Sequence, residues 1–209
     1  MVPAESVFQG FRKIVRDLAR DEGTEIEFTA EGLTVQADRL VLQALKDPLM
    51  HLLRNAVTHG LEAPADRRGR GKELAGAILL RVRSQGNLLR ITVVDDGCGV
   101  DWKAVAEYAV RHRFLSQEEA ESAPPETLSR LLLLPGFSTC RMVTDLAGRG
   151  MGLSVVAETV KRLQGSVELR STGNAGTTIE IAGPIAVSTH RLLIVESAGQ
   201  RFAIPAAAL

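Results

Sequence analysis

The chain has 209 residues, of which 45% are hydrophobic and 24% charged, enough for one generous domain or one domain with the start of another. Its 25 basic and 25 acidic side chains cancel, so the charge favours neither a nucleic-acid nor an anionic-membrane partner. Cys98 and Cys140 form no disulfide framework or zinc-spaced cluster, the longest aliphatic run covers only residues 131–134, and the N-terminus lacks a signal-peptide core; a cytoplasmic chain without membrane insertion is expected.

Val7, Phe8, Phe11, Ile14, Val15 and Leu18 recur at helical spacing, which predicts an amphipathic helix over residues 6–20 that ends near Gly23. Residues 25–28 and 33–36 alternate polar with apolar on either side of Glu31 and Gly32, the pattern of a hairpin. A second helix is predicted over residues 38–59; within it Asp47 and Pro48 mark either a fresh N-cap or a kink, and Gly60 is a C-terminal stop. Residues 62–76, with Pro64, several glycines and a basic cluster, read as a surface loop. Strands follow at 78–83 and 88–94, then a loop over 95–101 and a helix over 102–112. Residues 116–149 read as irregular, a length that marks a lid or functional loop. A helix over 153–163 closes at Gly165, and 166–170 with 177–181 form another hairpin. After Pro184 two strands, 191–196 and 202–204, are too few to stand alone and read as the cut edge of another domain.

Three segments carry groups suited to a nucleotide. His51, Asn55 and His59 lie four residues apart; at about 100° per residue they share one helix face, a polar stripe able to meet Mg²⁺ and phosphate oxygens. Taken alone, the plainer reading of such a stripe is a solvated face. Asp95-Asp96-Gly97-Cys98-Gly99 follows a strand directly, placing a carboxylate where it can accept from an exocyclic amine and glycines where backbone can approach closely. A simple Asp-Gly turn is the alternative. Gly148-Arg149-Gly150-Met151-Gly152 opens into a helix, an arrangement of amides that suits an anion. No strand precedes it closely, which argues against a dinucleotide fold, and Gly71-Lys72 is followed by Glu73, which argues against a P-loop.

The order of these pieces says more than any one of them. Asn on a helix, DxGxG after a strand, a variable lid, GxGxG before a helix, then Gly176-Thr177-Thr178 in a hairpin resembles the Bergerat-type ATP-binding superfamily of gyrase, Hsp90, MutL and histidine kinases. Within it, HLLRNAVTHG (51–60), VDDGCGVD (94–101), PGFST (135–139) and VTDLAGRGMGLSVV (143–156) resemble the CheA-type chemotaxis histidine kinases over nearly the whole chain. The gyrase and Hsp90 branch places a catalytic Glu where His51 stands, so a gyrase-like ATP-gated clamp is disfavoured.

The resemblance implies an α+β fold, a two-layer α/β sandwich with a mixed β-sheet covered by helices on one face. It divides the chain into the end of a dimerisation helix (1–22), an ATP-binding kinase catalytic domain (23–186) and the truncated start of a CheW-like regulatory domain (187–209). Asn55 would hold Mg²⁺, His51 and His59 would lie by the phosphates as the catalytic pair, and Asp95 would bind the adenine amine with support from Thr177. Gly97 and Gly99 would shape the base pocket, Gly148, Gly150 and Gly152 would present amides to phosphate, and Phe137, Ser138 and Thr139 would belong to a mobile lid. The implied reaction is transfer of the γ-phosphoryl group of ATP to a histidine on a separate histidine-phosphotransfer domain, since the chain lacks the acceptor and His112 and His190 read as surface residues. The implied partners are that domain, a CheW-like adaptor, a chemoreceptor and a response regulator; the whole protein would be dimeric and this fragment monomeric. Two departures stand out: Gly152-Leu153-Ser154 where the family reads GMD, and Glu107-Tyr108 where it often carries basic residues, with Lys103, Arg111 and Arg113 nearby. An alternative is a nucleotide-binding scaffold of a signalling array with weak or no phosphotransfer.

Overall fold

The computed structural model describes residues 1–137, 152–186, 192–197 and 199–205. Its centre is a mixed five-stranded sheet of β2 (Ile26–Glu31), β4 (Gly76–Gln85), β5 (Leu88–Asp95), β7 (Thr177–Pro184) and β6 (Ser166–Ser171), in that order. β2 runs parallel to β4, and every other pairing in this sheet is antiparallel. Alternation decides which face is covered. Ile78, Leu80 and Val82 of β4 and Leu89, Ile91 and Val93 of β5 are buried, and each fully buried aliphatic side chain contributes about 1.5–3 kcal/mol. The residues between them carry the opposite face, which is laced by the pairs Arg81–Glu31 (2.6 Å), Arg90–Glu180 and Arg170–Glu168 (2.7 Å).

Helices α1 (Glu5–Phe8), α2 (Phe11–Asp21), α3 (Arg39–Asn55) and α8 (Leu153–Arg162) share one apolar core with that covered face. Phe8, Phe11 and Val15 enter from the N-terminal helices, Leu42, Leu49, Leu52 and Leu53 from α3, and Val156 and Val160 from α8. The expected two-layer α+β architecture is therefore present, with the helices of the core on one side of a mixed sheet. Asp38 caps α3, its Oδ1 accepting from the Leu40 amide at 2.8 Å. Pro48 lies inside one continuous helix, so it starts no new helix.

Several local expectations give way to long-range packing. The helix over 6–20 is interrupted at Gln9 and Gly10, where Gly is a weak helix former and where Phe8 and Phe11 stack with ring centroids 5.1 Å apart. Residues 25–28 and 33–36 make no hairpin: β2 finds its partner in β4, while β3 (Gln36–Ala37) pairs with β1 (Val2–Pro3). The supposed loop 62–76 contains α4 (Pro64–Gly69), with proline in its first turn. The supposed irregular stretch holds α6 (Gln117–Ser122), opened by a Ser116–Glu119 capping box, and α7 (Pro125–Leu132). α5 (Trp102–Arg111) is capped by Asp101, as its position after the loop suggests. β8 (Leu192–Ser197) and β9 (Gln200–Pro205) pair with each other as a separate two-stranded sheet.

Candidate functional site

Asp95 ends β5 and is only 6% exposed. Its Oδ1 accepts from the Gly97 amide at 3.0 Å and from the Thr177 amide at 3.2 Å, and no described residue donates to Oδ2. Burial pushes this carboxyl above the usual carboxylate range; the Gly97 and Thr177 amides pull it down, Asp96 pushes it up and Lys72 opposes the rise. The result is a buried carboxyl with one oxygen satisfied twice and the other left for a donor from outside the described residues.

Two glycines make this packing possible. A Cβ at Gly97 would lie 1.9 Å from the Gly60 carbonyl oxygen, and a Cβ at Gly176, which sits at φ +85°, would lie 1.8 Å from the carbonyl oxygen of Asp95. The ends of β5, of the α3 extension and of the β6–β7 turn thus touch backbone to backbone. Around Gly99, Ser171 Oγ accepts from the Val100 amide at 2.8 Å and donates to the Gly176 carbonyl at 2.9 Å.

The helix carrying His51 and Asn55 does not end as an α-helix. Residues 56–60 widen into a π-helical turn, closed by the Leu61 amide on the Ala56 carbonyl at 2.9 Å, an insertion frequent at functional sites. That turn delivers Gly60 to Asp95: the Cys98 amide donates to the Gly60 carbonyl at 2.9 Å, and Cys98 Sγ lies 3.8 Å from the His59 carbonyl. Asn55 Nδ2 lies 3.1 Å from His51 Nε2. An amide nitrogen only donates, so Nε2 accepts and the ring proton sits on Nδ1. Burial lowers the basicity of this half-buried imidazole, and the charges on Arg54 and His59 add to the effect, which keeps Nε2 available to accept. With Nδ2 engaged, the Asn55 oxygen is turned away from His51. His59 itself is exposed.

The structure brings Gly60, at the end of the helix that carries His51 and Asn55, together with the segment 95–99 and with Thr177. Gly152 caps α8 in extended conformation with no side-chain cap on the first-turn amides, and α8 packs along α3. Gly148, Gly150, Ser138, Thr139 and His190 lie outside the described residues. Phe137, the one residue of the expected lid segment 137–139 among the described residues, is buried, with its ring edge-on to Tyr108 and Phe114. His112 is exposed and stacks on Tyr108, while Lys103, Glu107, Arg111 and Arg113 are exposed as well.

One cluster escaped the sequence reading. Arg67 is fully buried; its guanidinium donates to Glu62 Oε2 (3.1 Å), Asp96 Oδ2 (2.7 Å) and the Glu73 and Ala75 carbonyls (2.7 and 3.3 Å). Lys72 Nζ donates to Glu62 Oε1 at 2.9 Å and to the Asp96 and Gly97 carbonyls at 2.7 Å each. Burial pushes the Glu62 carboxyl up, but its hydrogen bonds with Lys72 and its own amide, and the Lys72 and Arg67 charges, hold it below the usual range. Among the described residues no group of three or more His, Cys, Asp or Glu side chains is gathered to hold a metal by itself, and no helix is long and apolar enough to cross a membrane.

Comparison with known proteins gives this geometry a context. Residues 44–186 match the model of the histidine kinase-, DNA gyrase B- and HSP90-like ATPases. The chain is 42% identical over 205 residues to the chemotaxis protein CheA of Halobacterium salinarum, covering 98% of this chain and 31% of that protein. It is 36% identical over 205 residues to CheA of Bacillus subtilis, covering 98% and 30%, and 37% identical over 207 residues to a gliding motility regulatory protein of Myxococcus xanthus, covering 99% and 27%. The chain thus spans about a third of the length of the curated relatives it matches. The histidine kinase domain of the blue-light-activated kinase from Erythrobacter litoralis superposes with a TM-score of 0.51 at 18% identity, covering 88% of this chain and 66% of that one, a likeness of fold.

Proposed function

The chain belongs to the histidine kinase-, DNA gyrase B- and HSP90-like ATPase family, and from that premise we propose that it is the Mg-ATP-binding catalytic unit of a CheA-type protein-histidine kinase. The observation that carries the reading is Asp95: a buried carboxyl whose Oδ1 is held by two backbone amides while Oδ2 remains for a donor such as the adenine amine. Asn55, His51 and His59 would face the phosphates, with glycine amides of residues 148–152 and the uncapped start of α8 completing the anion site. The Asn55 side-chain oxygen would be a protein ligand to a Mg²⁺ ion there; phosphate oxygens and water would supply further ligands, and the ion would neutralise phosphate charge. Gly97 and Gly99 have no room for a Cβ beside the Gly60 carbonyl and the Ser171 hydroxyl, so they would shape the base pocket with backbone alone, and Gly152 would offer its amide to phosphate.

The reaction is in-line transfer of the γ-phosphoryl group: the bond from the γ-phosphorus to the β–γ bridging oxygen breaks, a phosphorus–nitrogen bond forms to a histidine imidazole, and ADP leaves. The acceptor would lie on a histidine-phosphotransfer domain. In this reading residues 23–186 are the catalytic domain, residues 1–22 are the end of a dimerisation helix, and residues 187–209 are the start of a CheW-like regulatory domain that would meet an adaptor and a chemoreceptor in the cytoplasm, with a response regulator downstream.

The test supplies the chain with a histidine-phosphotransfer domain, Mg²⁺ and labelled ATP. Labelled phosphohistidine on the added domain is expected. Nucleotide binding without any phosphohistidine would overturn the kinase reading and leave a nucleotide-binding scaffold.

A further inference from the structure

Gly97 is flanked by two peptide units, and each is held at both ends. In the Asp96–Gly97 unit the N–H donates to Asp95 Oδ1 at 3.0 Å while the C=O accepts from Lys72 Nζ at 2.7 Å. In the Gly97–Cys98 unit the N–H donates to the Gly60 carbonyl at 2.9 Å while the C=O accepts from the same Lys72 Nζ, also at 2.7 Å. A peptide unit is planar and trans, so its N–H and C=O point in opposite directions and fixing one fixes the other. Glycine between them imposes little of its own, having the widest choice of φ and ψ. A flip of the first unit would swing a carbonyl oxygen against the Asp95 carboxyl. Lys72 opposes that flip from the far side.

Lys72 is itself held in place. Its side chain is 15% exposed and shares the Glu62 carboxylate, 6% exposed, with Arg67. Arg67 also reaches Asp96 Oδ2, whose other oxygen accepts from the Ala77 amide at 2.9 Å. The outer rim is closed by Arg70, which donates to Asn174 Oδ1 at 2.6 Å, while the Asn174 amide donates to the Cys98 carbonyl at 3.1 Å. None of these groups donates to Asp95 Oδ2. Their common effect is on backbone direction.

We propose that Lys72 is a positioning residue for base recognition: a tethered ammonium, anchored through Glu62 and Arg67, that orients both peptide units at Gly97 so that Asp95 presents Oδ2 to the ligand's exocyclic amine. This rests on the reading of Asp95 as the adenine-binding carboxyl. Lys72 acts through the loop and touches neither the base nor the phosphates.

The experiment measures affinity for ATP and for purine riboside triphosphate, which lacks the 6-amino group, in wild type and in Lys72→Met. Wild type is expected to prefer ATP, and Lys72→Met to lose roughly tenfold or more of that preference. A ratio of two affinities is unmoved by a loss of folded fraction, which lowers both equally, so a purely structural lysine would leave it unchanged. Lys72→Gln, whose amide reaches a single carbonyl, is read on the same ratio and is expected to fall between the two; it also serves if Lys72→Met does not fold. A wild-type preference kept intact in either folded variant overturns the role of Lys72. Absence of any preference in wild type overturns the assignment of Asp95 instead.

Discussion

Thr177 reaches Asp95 through its backbone: the Thr177 amide donates to Asp95 Oδ1 across 3.2 Å, at the register position where the two residues face each other in the β5–β7 ladder. The neighbour on its N-terminal side sets that approach. Gly176 holds φ at +85°, and its Cα has no room for a substituent beneath the Asp95 carbonyl. Thr177→Val keeps the amide and is expected to leave ATP affinity within about threefold of wild type. Gly176→Ala costs at least ~1–2 kcal/mol from the left-handed backbone alone, with the clash in addition. Calorimetry and thermal melts separate the two; abolished binding in Thr177→Val would assign the role to the hydroxyl instead.

Asp95→Asn should separate stability from binding. The folded carboxyl holds its proton to higher pH than the unfolded one. The stability this contributes is full below the unfolded carboxylate range and drains away as pH rises through the raised folded value. Once ionised, the group is a burden on the fold, and the neutral amide is expected to melt no lower than wild type. Its Oδ1 can still accept from Gly97 and Thr177, which turns Nδ2 into the pocket, donor against donor with an adenine amine. ATP affinity is expected to fall on the order of 10–100-fold. A variant that melts higher yet binds ATP normally would detach Asp95 from the nucleotide.

His51 makes the opposite pH dependence. Its imidazole is held below the ordinary value of about 6.5, so its share of stability is present above that value and lost as pH falls through the lowered folded one. The cause is burial of the imidazole, with the Arg54 and His59 charges added to it; a proton on Nε2 would also meet the Asn55 Nδ2 donor at 3.1 Å. Melting temperature should drop on acidification below neutrality, and His51→Gln should flatten that slope. Thermal melts between about pH 5 and pH 8 make the comparison; parallel curves for the two proteins would refute it.

The glycines, the strand-end Asp95 and the helix carrying Asn55 were legible in the sequence because each answers a local rule: a turn, an alternation, a helical period. What escaped was fixed by distant partners. Ile26–Glu31 reads as half a hairpin until Gly76–Arg81 supplies a parallel neighbour some fifty residues on. Arg67 stands among Arg68, Arg70 and Lys72, a run that composition assigns to solvent, and nothing in the residue type marks the one that is buried. Only the approach of Glu62 and Asp96 distinguishes it. The π turn at 56–60 is likewise set by docking on the Cys98 amide, not by any break in the helical pattern.

Arg67 should consequently be the costliest of these cations to remove. Arg67→Met keeps much of the volume but leaves Glu62 and Asp96 with fewer counter-charges and the Glu73 and Ala75 carbonyls without their donor. Breaking a buried ion pair on one side typically costs about 3–5 kcal/mol, because the abandoned charge is still held away from water. Arg67→Lys restores a charge but not the planar fork that serves two carboxylates at once, so an intermediate loss is expected. Urea unfolding measures both variants. If Arg67→Met lowered stability by less than about 1 kcal/mol, the guanidinium would be a replaceable filler and not the anchor of the loop beneath Asp95.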